Sequence, residues 1–261
     1  MAQNVDKDIS YDELGGTWND FLTADSPFAR FHRLVTRPTI EAALGDLRGA
    51  RVLEIGCGGA ALSVWMVEHG GAVSVLGTDL SEVQTSDARQ LIAAKQLQQQ
   101  IHVKVQSCTE MEYENEFDVV VAVWLLMVLS KADLIETAQR AMRALKPGGR
   151  FVALLGSHNY ALKYKESKEK YGILFTDYPE PAIDGAAYGY AFYNADGTKR
   201  LTGGKKYFYS DQFLEDMFRS EIGCSDFRWL ALRLDEEEAA TNGYGYWLPI
   251  MNGNSLFSVT K

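Results

Sequence analysis

Between residues 51 and 156 the chain alternates short apolar runs with amphipathic stretches of helical period. The apolar runs predict strands at Arg51–Ile55, Val73–Thr78, His102–Gln106, Phe117–Val123 and Arg150–Leu155. The intervening segments predict helices at Gly59–His69, Glu82–Leu97 and Lys131–Leu145. Ser81 followed by Gln84 fits a capping box, and Ser130 is placed to cap the third helix. Lys146-Pro147-Gly148-Gly149 stops that helix. Alternation of this kind implies a parallel sheet covered on both faces. In such a sheet a ligand lies at the carboxyl ends of the strands, near the switch in strand order.

The rhythm changes on either side. Arg30 to Leu44 carries apolar residues at helical spacing, with Pro38 marking a start or a kink. Residues 1–50 therefore predict a helical lead-in, either covering a ligand mouth or packed on the core. Residues 157–209 form a long insertion dense in tyrosine and phenylalanine. Insertions of that length are commonly functional lids, and the aromatic load argues against disorder. Asn194-Ala195-Asp196-Gly197 signals a turn, so Tyr188–Tyr193 and Leu201–Tyr209 are expected to pair. Beyond it, Ser210 caps a helix reaching about Ile222, and Phe227–Leu234 and Leu256–Thr260 are strand candidates. The acidic stretch between those two strands predicts a loop. We expect one domain over 1–261: lead-in 1–50, cofactor-binding core 51–156, lid 157–209 and completion of the core 210–261.

Composition narrows the function classes. The chain has 261 residues, 46% of them apolar, and a net charge of −9. The acid balance disfavours a nucleic-acid partner or an anionic membrane surface. The longest apolar run, Val119–Leu129, is too short to span a bilayer. Three scattered cysteines, Cys57, Cys108 and Cys224, suggest no disulfide framework. With no signal-like N-terminus, a cytoplasmic location is expected.

The centre of the chemistry is Val52-Leu53-Glu54-Ile55-Gly56-Cys57-Gly58-Gly59-Ala60, a strand breaking into a glycine turn before a helix. Glycine tolerates positive φ and lets a ligand approach the backbone. Gly56-x-Gly58-x-x-Ala61 can be laid on a dinucleotide fingerprint. Glu54 disfavours that reading, because a pyrophosphate gains nothing from a carboxylate within the strand. Asp79 places a second acidic residue at the end of the next strand.

Glu54-x-Gly56-x-Gly58, Asp79 and the Lys146–Gly149 turn together resemble the class I S-adenosylmethionine-dependent methyltransferases, strongly over residues 50–156. The resemblance implies a Rossmann-like, doubly wound α/β fold with a mostly parallel seven-stranded sheet. It also implies S-adenosyl-L-methionine as cofactor. On it, Glu54, Gly56, Cys57 and Gly58 belong to the cofactor's amino-acid end, and Asp79 binds the ribose hydroxyls. Leu80 packs on the adenine, with Ser107 and Cys108 beside it where the family usually has an aspartate and a small residue. Val123 and Trp124 line the methionine part, Trp124 toward the acceptor. Tyr11 closes over the cofactor, and Ala60 replaces a third glycine. The aromatic insert and the ending around Trp247 are similar to small-molecule methyltransferases of the toxoflavin-synthase-like type, which methylate ring nitrogens of flat heterocycles.

That resemblance implies methyl transfer to a nitrogen or oxygen of a small flat metabolite. The alternatives are a methyltransferase acting on protein or RNA, or an inactive module that binds the cofactor. Trp18, Tyr160, Tyr164 and Tyr193 are candidates to hold the acceptor, the insert tyrosines serving otherwise as a local lid core. In-line displacement from a sulfonium needs a base only where the acceptor must lose a proton. His158, just after the fifth strand, is the leading catalytic candidate, and His32 is a second histidine able to face the site. No His/Cys/Asp grouping has metal-ligand spacing, so a metal-free site is expected. Monomer and homodimer remain open.

Overall fold

The computed structural model describes residues 26–156, 168–224, 226–232, 236–241 and 254–261. Its main sheet contains β1 (Arg51–Ile55), β2 (Ser74–Asp79), β3 (Ile101–Val105), β4 (Phe117–Val123), β5 (Leu145–Gly156), β9 (Asp226–Trp229) and β10 (Asn254–Thr260). The seven strands run in the order β3-β2-β1-β4-β5-β10-β9. The first five are parallel, whereas β10 is antiparallel to both β5 and β9. Strand order reverses at β1, which is flanked by β2 and β4, so the glycine turn leaves the sheet at its switch point.

The central strands are largely apolar because both of their faces are buried. Leu53, Val120, Phe151 and Phe257 pack on one side with Leu134, Met142 and Phe218. Val52, Val121, Val152 and Leu256 pack on the other with Leu44, Met66 and Ile92. The covering helices follow the predicted spans: α3 (Ala61–Glu68), α4 (Glu82–Ala94) and α5 (Lys131–Ala144). The Oγ of Ser81 accepts from the Gln84 N–H at 3.1 Å, and that of Ser130 accepts from Asp133 at 3.3 Å.

The lead-in is one helical rod made of α1 (Pro27–Phe31), a π-helical turn (His32–Thr36) and α2 (Arg37–Leu44). Pro38 explains the middle segment. It has no N–H, and its ring clashes with the carbonyl four residues back in an α-helix. A wider turn accommodates it, closed by the Arg37 N–H on the His32 carbonyl. The Arg150 guanidinium then fixes the rod to β5 by donating to the Ala43 carbonyl at 2.8 Å and to that of Leu44.

The insertion builds a second, antiparallel sheet of β6 (Ile173–Thr176), β7 (Ala187–Tyr193) and β8 (Lys199–Tyr207), preceded by a short α6 (Lys168–Tyr171). The predicted hairpin is present, with the Asn194 N–H bonded to the Thr198 carbonyl at 3.0 Å. Phe28, Phe31 and Val35 of the rod pack with Phe175, Tyr188, Tyr190 and Phe192 of this sheet in a third apolar cluster. Rod and small sheet thus form one cap over the carboxyl edge of the main sheet. Trp124 touches all three apolar clusters.

Three predicted boundaries need correction. β5 begins at Leu145, so Lys146–Gly149 is the irregular start of a strand rather than a free turn. Leu145 pairs with Phe117, and the register shifts before Arg150 meets Val119. The Ser210-capped helix reaches Ile222 as expected, as α7 (Asp211–Asp216) continued by a π turn over Met217–Glu221. β9 ends at Trp229 instead of continuing to Leu234. The acidic stretch after it contains α8 (Glu236–Thr241), consistent with the helix preference of its glutamates and alanines.

Candidate active site

The glycine turn is held by its own backbone. Gly56 and Cys57 both donate to the Thr78 carbonyl, at 2.7 and 3.0 Å. Gly56, Gly58 and Ala60 all have positive φ, at 71°, 49° and 60°. A Cβ on Gly56 would lie 3.1 Å from the Leu125 side chain, so glycine is needed there for space as well as conformation. Ala60 adopts the left-handed conformation without being glycine.

Asp79 bridges the turn to α4. One carboxylate oxygen accepts from the Gly58 N–H and the other from the Ser81 N–H, each at 2.9 Å. Glu54 is different, being only 5% exposed and accepting from the Ser63 hydroxyl. Burial pushes its carboxyl up to about 7, against the opposing Ser63 hydrogen bond and the Arg37 charge. Cys57 is buried against Gly77, and burial raises its thiol well above the usual range. It is a packing residue rather than a nucleophile.

These groups line a cavity of about 1100 Å³. Glu54, Gly56, Cys57, Gly58, Asp79 and Leu80 form one part of its wall, and Ser107, Cys108, Val123 and Trp124 another. Leu80 is 71% exposed, a large apolar side chain left uncovered at the mouth. The cap supplies the opposite wall with Phe28, His32, Thr36 and Arg37 from the rod and Tyr190, Phe192 and Lys206 from the small sheet. The Nδ1 of His32 and the Oγ1 of Thr36 are buried without a hydrogen-bond partner. Burial, with Arg37 and Arg33 nearby, lowers His32 to about 4, so its imidazole is neutral at pH 7.

Tyr193 is placed elsewhere. Successive strand residues point to opposite faces, and on β7 it is Tyr190 and Phe192 that face the cavity. Tyr193 lies outside that lining, under the Lys168 ammonium at 5.0 Å from the ring centroid. Tyr11, Trp18, His158, Tyr160, Tyr164 and Trp247 fall outside the described residues. Sequence reasoning missed Thr36, Arg37, Tyr190, Phe192 and Lys206 as wall residues. The aromatic alternation along β7 is a local signal for Tyr190 and Phe192 alone.

With this geometry in hand, the comparisons with known proteins are informative. Residues 52–149 match the family model for a methyltransferase domain. The ubiquinone biosynthesis O-methyltransferase of Leptothrix cholodnii is 30% identical over 151 residues, covering 56% of this chain and 62% of that protein. The ribosomal protein L11 methyltransferase of Listeria monocytogenes is 30% identical over 144 residues, covering 53% of this chain and 44% of that protein. The chain thus spans less than two thirds of the length of these curated relatives. In fold it resembles the Burkholderia thailandensis 1,6-didemethyltoxoflavin-N1-methyltransferase, with a TM-score of 0.56 at 16% identity over 96% of this chain and 85% of that one.

Residues 52–149 thus match a methyltransferase domain, and the sheet order with its glycine turn is that of the Rossmann-like fold of class I S-adenosylmethionine-dependent methyltransferases. S-adenosyl-L-methionine is the cofactor of that class. Among the described residues no helix is long and apolar enough to cross a membrane.

Proposed function

We propose that the protein transfers a methyl group from S-adenosylmethionine to a nitrogen or oxygen of a small, flat aromatic or heterocyclic metabolite. The observation carrying this is the cap. It closes the cavity opposite the glycine turn with aromatic side chains and leaves space for a cofactor and a compact acceptor. The matched relatives include methyltransferases named for a small-molecule pathway and for a ribosomal protein, so kinship alone does not choose between acceptors.

The residues present fit the cofactor. Gly56 and Gly58 form a cradle that side chains would fill, and a carboxylate such as that of Asp79 suits a vicinal diol because it accepts two hydrogen bonds. Leu80 offers an apolar face to an adenine, with Ser107 and Cys108 along its edge. Val123 and Trp124 flank the methionine part. When bound, the sulfonium supplies an electrophilic methyl and a neutral leaving group. The chain's task is to align the acceptor and exclude water. Tyr190 and Phe192 hold a flat ring, and the neutral imidazole of His32 is suited to hydrogen-bond it. No nucleic-acid acceptor is part of this reading.

Two measurements test it. Calorimetry should show binding of S-adenosylhomocysteine and none of NAD. Asp79→Ala should weaken that binding by about 1–3 kcal/mol, the loss expected for hydrogen bonds to a charged group. An unchanged affinity rejects the ribose role. Incubation of a cell extract with methyl-labelled S-adenosylmethionine should place label in the small-molecule fraction. Label confined to protein or RNA overturns the acceptor class.

A further inference from the structure

The two walls of the cavity carry opposite charge. On the side of the main sheet the wall carries four carboxyl groups, Glu54, Asp79, Asp87 and Asp133. On the cap side stand the cations Arg33, Arg37, Lys205 and Lys206, with Arg37 paired to Glu41, beside the neutral imidazole of His32. In a chain of net charge −9 this basic patch runs against the overall balance.

Lys206 is the unusual member. It is only 5% exposed, and among the described residues no carboxylate partners it. Its ammonium lies 4.0 Å from the Tyr190 ring centroid and 5.6 Å from that of Phe175. Lysine is rarely buried without a partner, because desolvating its charge is costly. Burial accordingly lowers its pKa to about 7.

A specific backbone device puts it there. Phe192 pairs with Leu201 and Tyr188 with Lys206, so Leu201 and Lys206 both sit on the aromatic face of the small sheet. They are five residues apart, an odd number, which in a regular strand would place them on opposite faces. The register shift between the Gly189–Lys205 and Ala191–Thr202 pairs resolves this. Gly203 and Gly204 together oppose Tyr190, a β-bulge that reverses the alternation. Without it Lys206 would face away from the aromatic cluster. The Tyr190 ring fills the space beside Gly203, where any Cβ would collide with it.

From this geometry we infer that Lys206 is an acceptor-binding residue and that the acceptor carries an anionic group, a carboxylate or an ionised ring oxygen or nitrogen, held against Lys206 beside the Tyr190 ring. This rests on the methyl-transfer reading above and names its substrate class. The acidic wall suits a cofactor bearing ammonium and sulfonium charges, and the basic wall suits an anion between it and the cap. The buried, unpartnered Nδ1 of His32 and Oγ1 of Thr36 supply further polar contacts on the same wall.

The test uses matched probes, 2-naphthoate and 2-naphthamide, which share a flat shape and differ in charge. Each is titrated into the full chain saturated with S-adenosylhomocysteine. Wild type should bind the carboxylate at least about tenfold more tightly than the amide, the scale of one charge-assisted hydrogen bond. Lys206→Met, which keeps an unbranched apolar chain on Tyr190, should reduce the preference below about twofold. It should also retain S-adenosylhomocysteine affinity, showing that it is folded. Equal affinities in wild type overturn the inference, as does binding of neither probe while S-adenosylhomocysteine binds. A preference that survives in Lys206→Met overturns the role of that residue. If Lys206→Met fails to fold, the wild-type pair alone decides whether the acceptor is anionic. Failure of S-adenosylhomocysteine itself to bind would instead sink the methyl-donor reading.

Discussion

Glu54 and Asp79 sit at the carboxyl ends of adjacent strands, yet their environments give them different chemistry. Asp79 is fixed by two backbone N–H groups and faces the cavity mouth. Glu54 is buried behind it with one hydroxyl donor. Because burial raises its folded pKa from 4.5 to about 7, the folded protein holds that proton more tightly than the unfolded chain does. The associated stability is therefore full below about pH 4.5 and is lost as pH rises through 7. The difference amounts to about 3 kcal/mol. Urea unfolding of the ligand-free protein from pH 4 to 8 should show wild type losing roughly that much relative to Glu54→Gln. Parallel profiles for the two proteins would mean that Glu54 titrates in the folded protein as it does in the unfolded chain. Both carboxylates were legible from sequence as motif members. Their opposite electrostatics were not, because burial is set by Ser63 and the rod, which lie elsewhere in the chain.

At the scale of elements, legibility followed periodicity. β1, β4 and the caps of α4 and α5 were readable because a strand buried on both faces is largely apolar and a cap is a local hydrogen bond. The cap sheet was only partly readable. Its hairpin announced itself through Asn194–Gly197, but β6 is a four-residue apolar run with no distinguishing turn. The Gly203–Gly204 bulge reads in sequence as a flexible spot, and Lys205-Lys206 as a solvated edge. Only pairing with β7 shows that Lys206 turns inward. For the same reason Tyr193 was chosen over Tyr190 and Phe192, since a strand's pattern does not say which face meets the ligand. The bulge makes a further expectation definite. Gly203→Ala would place a Cβ 2.0 Å from the Tyr190 ring, which cannot be accommodated without moving that ring. The variant should lose about 1–3 kcal/mol of stability, the usual penalty of overpacking, and acceptor KM should rise while S-adenosylhomocysteine affinity stays within about threefold. An unchanged acceptor KM would show that Tyr190 has no part in holding substrate.

Across the whole molecule, the proposed function divides binding of the methyl donor and binding of the acceptor between two packing units. The donor wall belongs to the seven-stranded sheet and its helices. The acceptor wall belongs to a cap with its own aromatic cluster, joined to the core through Trp124 and the Arg150 clamp on α2. Such a division predicts that the cap can be loosened selectively. Phe28 is the residue to test, because it is buried in the cap cluster with its ring centroid 4.8 Å from that of Phe192. Truncation of a buried phenylalanine typically costs about 3–5 kcal/mol. If the cap opens as its own unit, Phe28→Ala should speed amide hydrogen exchange in β6, β7, β8 and residues 27–36. Protection in β1, β4 and β5 should remain close to wild type. S-adenosylhomocysteine should still bind within about threefold of wild type, and turnover should fall because water reaches the acceptor wall. Uniform loss of protection across the main sheet would instead mean that cap and core unfold together. The methyl donor and the acceptor would then share one cooperative structure, and substrate choice could not be changed by altering the cap alone.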